Sequence, residues 1–145
     1  MSFRLLMYCL ALMAIVTIDA SAGGSGSSRS ILKPCPDKPN CVSSEAPEGA
    51  AKMDPIRYKG SIEDARKTLL GIVEDSGRAT VVQNDGNYLK VEFRSPILSF
   101  VDDVEFAFDD GSKIINFRSA SRSGYYDFGV NRRRMEDIIK KFSSK

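Results

Sequence analysis

Arginines are concentrated near the carboxyl end of this sequence. Five of them fall within the 17 residues from 118 to 134, and Arg132, Arg133 and Arg134 are consecutive. These three occupy the first turn of a predicted helix, where the helix dipole disfavours cations by roughly a few tenths of a kcal/mol each. Two kinds of interaction can offset that cost. Either internal carboxylates such as Asp127 pair with the arginines, or the helix N-terminus and its arginines bind a phosphate, sulfate or carboxylate group.

The second explanation defines a candidate binding site. Charge-assisted hydrogen bonds would recognise an anionic group on a lipid, a metabolite or an envelope protein. The candidate binding residues are Arg118, Arg122, Asp127, Asn131, Arg132 and Arg134. The sequence assigns no catalytic residue, no metal ligand and no cofactor, so it favours an accessory or binding protein over an enzyme.

A carboxylate-dependent enzyme of unknown reaction is the alternative, with Asp102, Asp103 or Asp127 as its acid or base. Such an enzyme needs a concave pocket that holds at least two of these groups. Adjacent strand residues point to opposite faces, so Asp102 and Asp103 do not form a carboxylate pair by sequence alone. A structural envelope protein without a small ligand is a third interpretation.

Composition excludes several other classes. The chain of 145 residues contains no His, which removes Ser-His-Asp and Cys-His catalysis and His-ligated metals. A formal net charge of +2 gives no reason to expect a nucleic-acid partner. There is also no P-loop, no dinucleotide glycine fingerprint and no nucleophile elbow.

The N-terminus has the layout of a secretory signal peptide. Arg4 precedes an apolar run over residues 5–18, and Ala20-Ser21-Ala22 fits a cleavage site. We therefore predict a signal peptide over 1–22, a Gly/Ser linker over 23–30 and one domain over 31–145. The mature protein would be exported, either periplasmic or secreted, without a membrane span. An uncleaved N-terminal anchor, or a plastid or secretory route in a eukaryote, is the alternative.

Two cysteines remain after the predicted cleavage. Cys35 and Cys41 close a loop of seven residues that contains two prolines. In an oxidising compartment such a pair is most simply a structural disulfide, whereas redox-active pairs favour Cys-x-x-Cys at the start of a helix. The bridge would fasten an irregular strap over residues 31–59, with a short extended piece around 56–58.

The periodicity of apolar residues over 60–145 predicts helices and strands in the order α-β-β-β-β-α. Ser61 caps a first helix, and strands with alternating apolar residues follow, joined by turns at 84–87 and 109–112. A last helix starts near Asn131, with Val130 and Met135 forming a hydrophobic staple. Fifteen apolar positions are expected in the core: Ala65, Leu69, Ile72, Val73, Val82, Leu89, Val91, Phe93, Val104, Phe106, Phe108, Ile115, Phe117, Ile138 and Phe142.

These elements predict an α+β fold with two layers. An antiparallel sheet of four to five strands would carry both helices on one face, and its other face would be wet. The wet face would hold charged residues of both signs, which usually form cross-strand ion pairs. The apolar segment 97–100 joins two strands and either closes the core edge or contacts a partner or a lipid surface.

Three motifs resemble the family called domain of unknown function 1499. They are Pro34-Cys35-Pro36-Asp37-Lys38-Pro39-Asn40-Cys41-Val42-Ser43-Ser44, the segment 100–105, and the run from Arg118 through Gly124 to 127–134. The resemblance covers about residues 32–142. It implies a small exported or membrane-associated domain of bacterial type, also found in photosynthetic eukaryotes. It implies no activity, substrate or cofactor.

Overall fold

A computed structural model describes residues 30–96 and 98–145. The predicted signal peptide and most of the predicted linker lie outside the described residues, so both stay predictions. None of the described helices is long and apolar enough to cross a membrane.

The sheet is antiparallel, as the α+β prediction requires, and it has six strands instead of the four to five expected, because two short strands of the strap pair with its edge. In chain order they are β1 (Cys41–Ser43), β2 (Ile56–Arg57), β3 (Ala79–Asp85), β4 (Tyr88–Arg94), β5 (Val101–Asp109) and β6 (Ile114–Ser121). The spatial order is β1-β6-β5-β4-β3, and β2 also pairs with β6. The four long strands form a meander, because short turns join each one to its neighbour.

Two helices cover one face of the sheet. The first, α1 (Ile62–Glu74), begins after Ser61, whose side chain accepts a hydrogen bond from the Asp64 N–H as predicted. The second, α2 (Val130–Ser143), begins one residue earlier than expected. Gly129 precedes it in the left-handed conformation (φ 74°), and Val130 is exposed, so the predicted staple is wrong.

The core lies between this sheet face and the helices. Every predicted core residue is buried except Val82, which is 46% exposed. A bulge between Val81 and Gln83 shifts the register of β3, and Val81 packs against the core instead. Met135 is fully buried beside Ile138, so the apolar stripe of α2 faces inward as its spacing indicates.

The strap contains more regular structure than predicted. Residues 41–43 form an edge strand on β6, with Cys41 opposite Ala120 and Val42 opposite Ser119. Cys35 and Cys41 form the predicted disulfide, with 5.7 Å between their Cα atoms. The bridge therefore joins the start of the strap to the edge of the sheet, next to the last residues of β6.

Candidate functional site

Arg118 lies on the outer face of the sheet, the face opposite the helices, and it is held by an acid. Its Nη1 donates to Glu105 Oε2 at 3.0 Å, and the Tyr88 hydroxyl donates to Glu105 Oε1 at 2.5 Å. Both members of the ion pair are largely buried, with 13% and 6% of their side chains exposed. Burial, together with the bond to Glu105, raises the pKa of Tyr88 well above its ordinary value. Arg118 is thus a structural residue that pairs with a buried carboxylate on the outer face of the sheet.

Arg122 is the second arginine on this face, and two acids share it. Its Nε and Nη2 both lie 2.8 Å from oxygens of Asp103, and Nη2 also contacts Glu92. Lys90 contacts Asp103 at 3.2 Å. The hydrogen bond from Arg122 holds the pKa of Asp103 below its usual value. The expected cross-strand ion pairs are therefore present, and they occupy the guanidinium of Arg122.

Arg134 lies on the other side of the sheet, one turn into α2. Its Nη2 donates to Asp102 Oδ2 at 2.6 Å, and its guanidinium carbon lies 4.7 Å from the centroid of the Phe93 ring. Asp102 is 7% exposed and faces this side, whereas Asp103 faces the outer side. Arg134 is thus a structural arginine that compensates a nearly buried carboxylate.

Asn131 is the centre of a buried polar network. Its side-chain amide is fully buried and donates to Asn40 O, Ser121 Oγ and Asp127 Oδ2, at 2.8 to 3.2 Å. Its oxygen accepts from Ser119 Oγ at 2.5 Å and Arg134 Nη1 at 2.8 Å. One side chain therefore joins the helix, the end of β6 and the disulfide loop (residues 35–41).

Asp127 fixes the entrance to α2. Its carboxylate accepts the backbone N–H of Gly129 and of Asn131, both at 2.9 Å, as well as the Asn131 amide. Burial alone would raise the pKa of Asp127, but these donors outweigh it and the pKa lies below the ordinary value. The carboxylate is therefore ionised at neutral pH and fully engaged with the loop that it shapes.

Arg132 differs from the other three candidate arginines because it has no carboxylate partner among the described residues. Its Nη2 donates to two backbone carbonyls of the strap, Ala50 O at 2.5 Å and Lys52 O at 3.2 Å. Carbonyls orient the guanidinium but leave its positive charge unneutralised. Its Nε and Nη1 groups have no acceptor in the described part of the protein.

Arg132 lines a pocket of about 530 Å³ between two loops. One wall is the disulfide loop, which contributes Pro36, Lys38 and Pro39. The other is the aromatic loop (residues 125–129), which contributes Tyr125 and Tyr126 along with Asp127 and Gly129. Asn40 Nδ2 donates to Gly124 O at 2.8 Å, so a partly buried hydrogen bond links the disulfide loop to the residue that precedes the aromatic loop. We refer to this cavity as the Arg132 pocket.

The predicted site is therefore split by the sheet. Arg118 and Arg122 lie on the outer face, and the other four residues lie at the N-terminus of α2. Of the six predicted residues, only Asp127 and Arg132 line the Arg132 pocket. Lys38 and the tyrosines of the aromatic loop were not predicted as binding residues, although the tyrosines lie within the arginine-rich stretch.

The geometry does not support the carboxylate-dependent enzyme. Asp102 and Asp103 face opposite sides of the sheet, and each is paired with basic side chains. Asp127 is the one member of the predicted trio that lines the Arg132 pocket, and its oxygens are already engaged. Within residues 30–96 and 98–145, no group of acidic or Cys side chains could hold a metal ion.

Comparison with protein families identifies a match. The model of a family described as "Protein of unknown function (DUF1499)" matches residues 31–142, which include the disulfide loop, both helices and the aromatic loop. No curated protein matches the chain.

Proposed function

The chain belongs to the DUF1499 family, and we propose that it is a binding module whose Arg132 pocket takes the anionic group of a ligand. The observation that carries this proposal is the guanidinium of Arg132. It lines the pocket, it is oriented by two carbonyls, and no carboxylate within residues 30–96 and 98–145 forms a salt bridge with it. Arginine presents its N–H donors in a rigid fork that suits carboxylate and phosphate groups.

The position of Arg132 in α2 adds to its affinity for anions. The first turn of α2 contains no acidic residue, so the positive end of the helix dipole adds to the charge of the guanidinium. Lys38 contributes a second cation from the opposite wall. Asp127 also lies here and its charge offsets part of this attraction, although its oxygens are directed at three N–H donors.

The remaining walls indicate what the rest of the ligand is like. Pro36, Pro39, Tyr125 and Tyr126 offer flat apolar surfaces, with a phenolic hydroxyl on each tyrosine. Binding pockets commonly combine such apolar walls with a few fixed polar groups. We therefore expect a small ligand with one anionic group and an uncharged body that packs against the tyrosines.

The exposed carboxylate of Asp37 allows a test of whether the pocket favours anions. Asp37 also lines the pocket and would repel an anion. Asp37→Asn should therefore strengthen binding about twofold, since an exposed charge pair is worth roughly 0.2–1 kcal/mol.

The test is an amide NMR titration with glycerol 3-phosphate, and with acetate as a carboxylate probe. We expect saturable shifts for residues 36–41 and 125–132. Arg132→Gln should weaken binding about tenfold or more, because a hydrogen bond to a charged group is worth roughly 1.5–3 kcal/mol. Arg78→Gln is the matched control, because Arg78 is an exposed arginine outside the pocket. Absence of saturable shifts with both probes, or equal affinities for the two variants, would contradict the proposal.

We further propose that the protein works in an oxidising compartment after export. The disulfide supports this proposal, because such bonds are rare in reducing compartments. Mass spectrometry of protein taken from its native host should show loss of residues 1–22 and a mass two hydrogens below that of the dithiol. An intact Met1, or free thiols at Cys35 and Cys41, would contradict export.

A further inference from the structure

Exposed apolar side chains gather on two segments, 98–100 and 125–130. Together they account for six of the eight large apolar residues that are exposed in the described part of the chain. The most exposed are Phe128 at 76%, Tyr125 at 68% and Leu98 at 66%. The full set, which we call the apolar end, is Leu98, Phe100, Tyr125, Tyr126, Phe128 and Val130.

Both segments leave the same end of the sheet. The end of β6 pairs with the start of β5, where Ser121 lies opposite Asp102. Just beyond that pair, the Arg122 N–H donates to Val101 O at 3.0 Å. Phe100 precedes this contact by one residue, and the aromatic loop begins three residues after it. The 98–100 segment therefore does not close the core edge, which was one of the two predicted alternatives.

The structure holds Phe128 in place without burying it. Phe128 has a φ of 54°, which is unfavourable for a bulky residue. Arg133 Nη1 donates to Phe128 O at 2.8 Å, and Tyr126 packs edge-on at 5.0 Å. The next residue has a φ of 74°, a conformation that L side chains rarely adopt, so the loop favours glycine at position 129. Fixing an exposed aromatic in advance reduces the entropy lost on binding.

Basic side chains border the apolar end. Lys38, Arg132 and Arg133 have no salt bridge within the described residues. Tyrosine is enriched where proteins meet the headgroup layer of a bilayer, and surfaces that bind there combine Phe and Leu with Lys and Arg. Anionic lipids attract the nearby basic residues.

We propose that the apolar end docks onto a bilayer that contains anionic phospholipids. Leu98, Phe100 and Phe128 enter the boundary between headgroups and acyl chains, and Lys38 and Arg133 contact lipid phosphates. This inference rests on the exposed side chains and their basic border, and it does not depend on ligand binding in the Arg132 pocket.

The test is flotation of the purified protein with vesicles. One set consists of phosphatidylcholine alone, and the other contains phosphatidylcholine and phosphatidylglycerol in equal parts. We expect binding to the anionic vesicles that weakens as salt is added, because salt screens exposed charges. Leu98→Ser with Phe128→Ser should lower the partition coefficient at least about tenfold, given the apolar surface removed.

The matched control replaces two exposed apolar residues elsewhere, Ile31→Ser with Val82→Ser. This control should bind anionic vesicles like the wild type. The Leu98/Phe128 variant should still bind glycerol 3-phosphate, because neither residue lines the Arg132 pocket, so failure of the two proposals can be told apart. The inference would be overturned if wild-type protein did not bind anionic vesicles, or if the Leu98/Phe128 variant bound them as well as the Ile31/Val82 control. Self-association through the apolar end without vesicle binding would overturn it equally.

Discussion

Asn131→Ala should be among the most damaging single substitutions in the domain. The alanine removes five hydrogen bonds, of which two join Asn131 to the charged groups of Asp127 and Arg134. Of the partners left behind, Ser119 is as fully buried as Asn131 itself. Water therefore cannot readily replace the lost amide.

The expected cost follows from these contacts. A neutral hydrogen bond contributes about 0.5–1.5 kcal/mol net, and one to a charged group about 1.5–3 kcal/mol. Partial rearrangement of the half-buried partners Ser121, Asp127 and Arg134 reduces the sum, so we expect a loss of about 3–5 kcal/mol in the free energy of unfolding. Small domains have roughly 5–15 kcal/mol in total. The loss should lower Tm by about 10–20 °C for a domain of this size.

Urea unfolding followed by circular dichroism, under non-reducing conditions, measures this loss. Asn116→Ala is the control, because that half-buried asparagine accepts one side-chain hydrogen bond, from Ser44 Oγ at 3.0 Å. It should cost about 1 kcal/mol. If Asn131→Ala cost no more than Asn116→Ala, the buried network would not hold the two loops together, and the argument for a preformed pocket would fail.

Three further predictions concern covalent and pH-dependent stability. Replacing Cys35 and Cys41 with serine should lower the free energy of unfolding by about 2 kcal/mol, measured in urea, because the closed loop is short. A hydrogen bond from a neighbouring guanidinium lowers the pKa of Asp103, so its contribution is complete above its unfolded pKa and is lost as pH falls. The urea midpoint should drop below about pH 4, and Asp103→Asn should flatten that drop. Burial, helped by Asp110, raises the pKa of Tyr58 to about 12, so its contribution is present below about pH 10 and fades as pH rises through 12. Ultraviolet absorbance titration should show a tyrosine ionisation near pH 12 in wild type that is absent from Tyr58→Phe.

Periodicity predicted most of the fold because apolar and polar residues alternate along each long strand, which leaves one face apolar. Leu89, Val91 and Phe93 are buried on β4 as their spacing requires. The prediction that Val82 lies in the core was wrong because a bulge in β3 changes which side chain faces inward. No residue type in β3 indicates that bulge. The edge strand β1 was missed because it has three residues and follows a proline-rich loop.

The site was harder to predict than the fold because its contacts join distant parts of the chain through backbone atoms. Arg132 contacts the carbonyls of Ala50 and Lys52, 82 and 80 residues away in sequence. Every residue type has a backbone carbonyl, so these contacts place no requirement on the residue type at either position. Charge did indicate that some arginines have acid partners, but it could not show on which side of the sheet each one lies.

The arginines of α2 can be separated experimentally into structural and binding residues. Arg134 is 15% exposed and compensates Asp102, so Arg134→Gln leaves a nearly buried carboxylate without its cation and should cost about 2–4 kcal/mol of unfolding free energy. Arg132 lies at the unfavourable end of the helix dipole and has partly exposed carbonyl partners instead of a buried carboxylate, so Arg132→Gln should cost the ligand-free protein no more than about 1 kcal/mol. Glycerol 3-phosphate at a concentration that just saturates wild type should then raise the Tm of wild type more than that of Arg132→Gln. A large loss of stability in ligand-free Arg132→Gln would instead make Arg132 a structural residue and would remove the main support for anion binding.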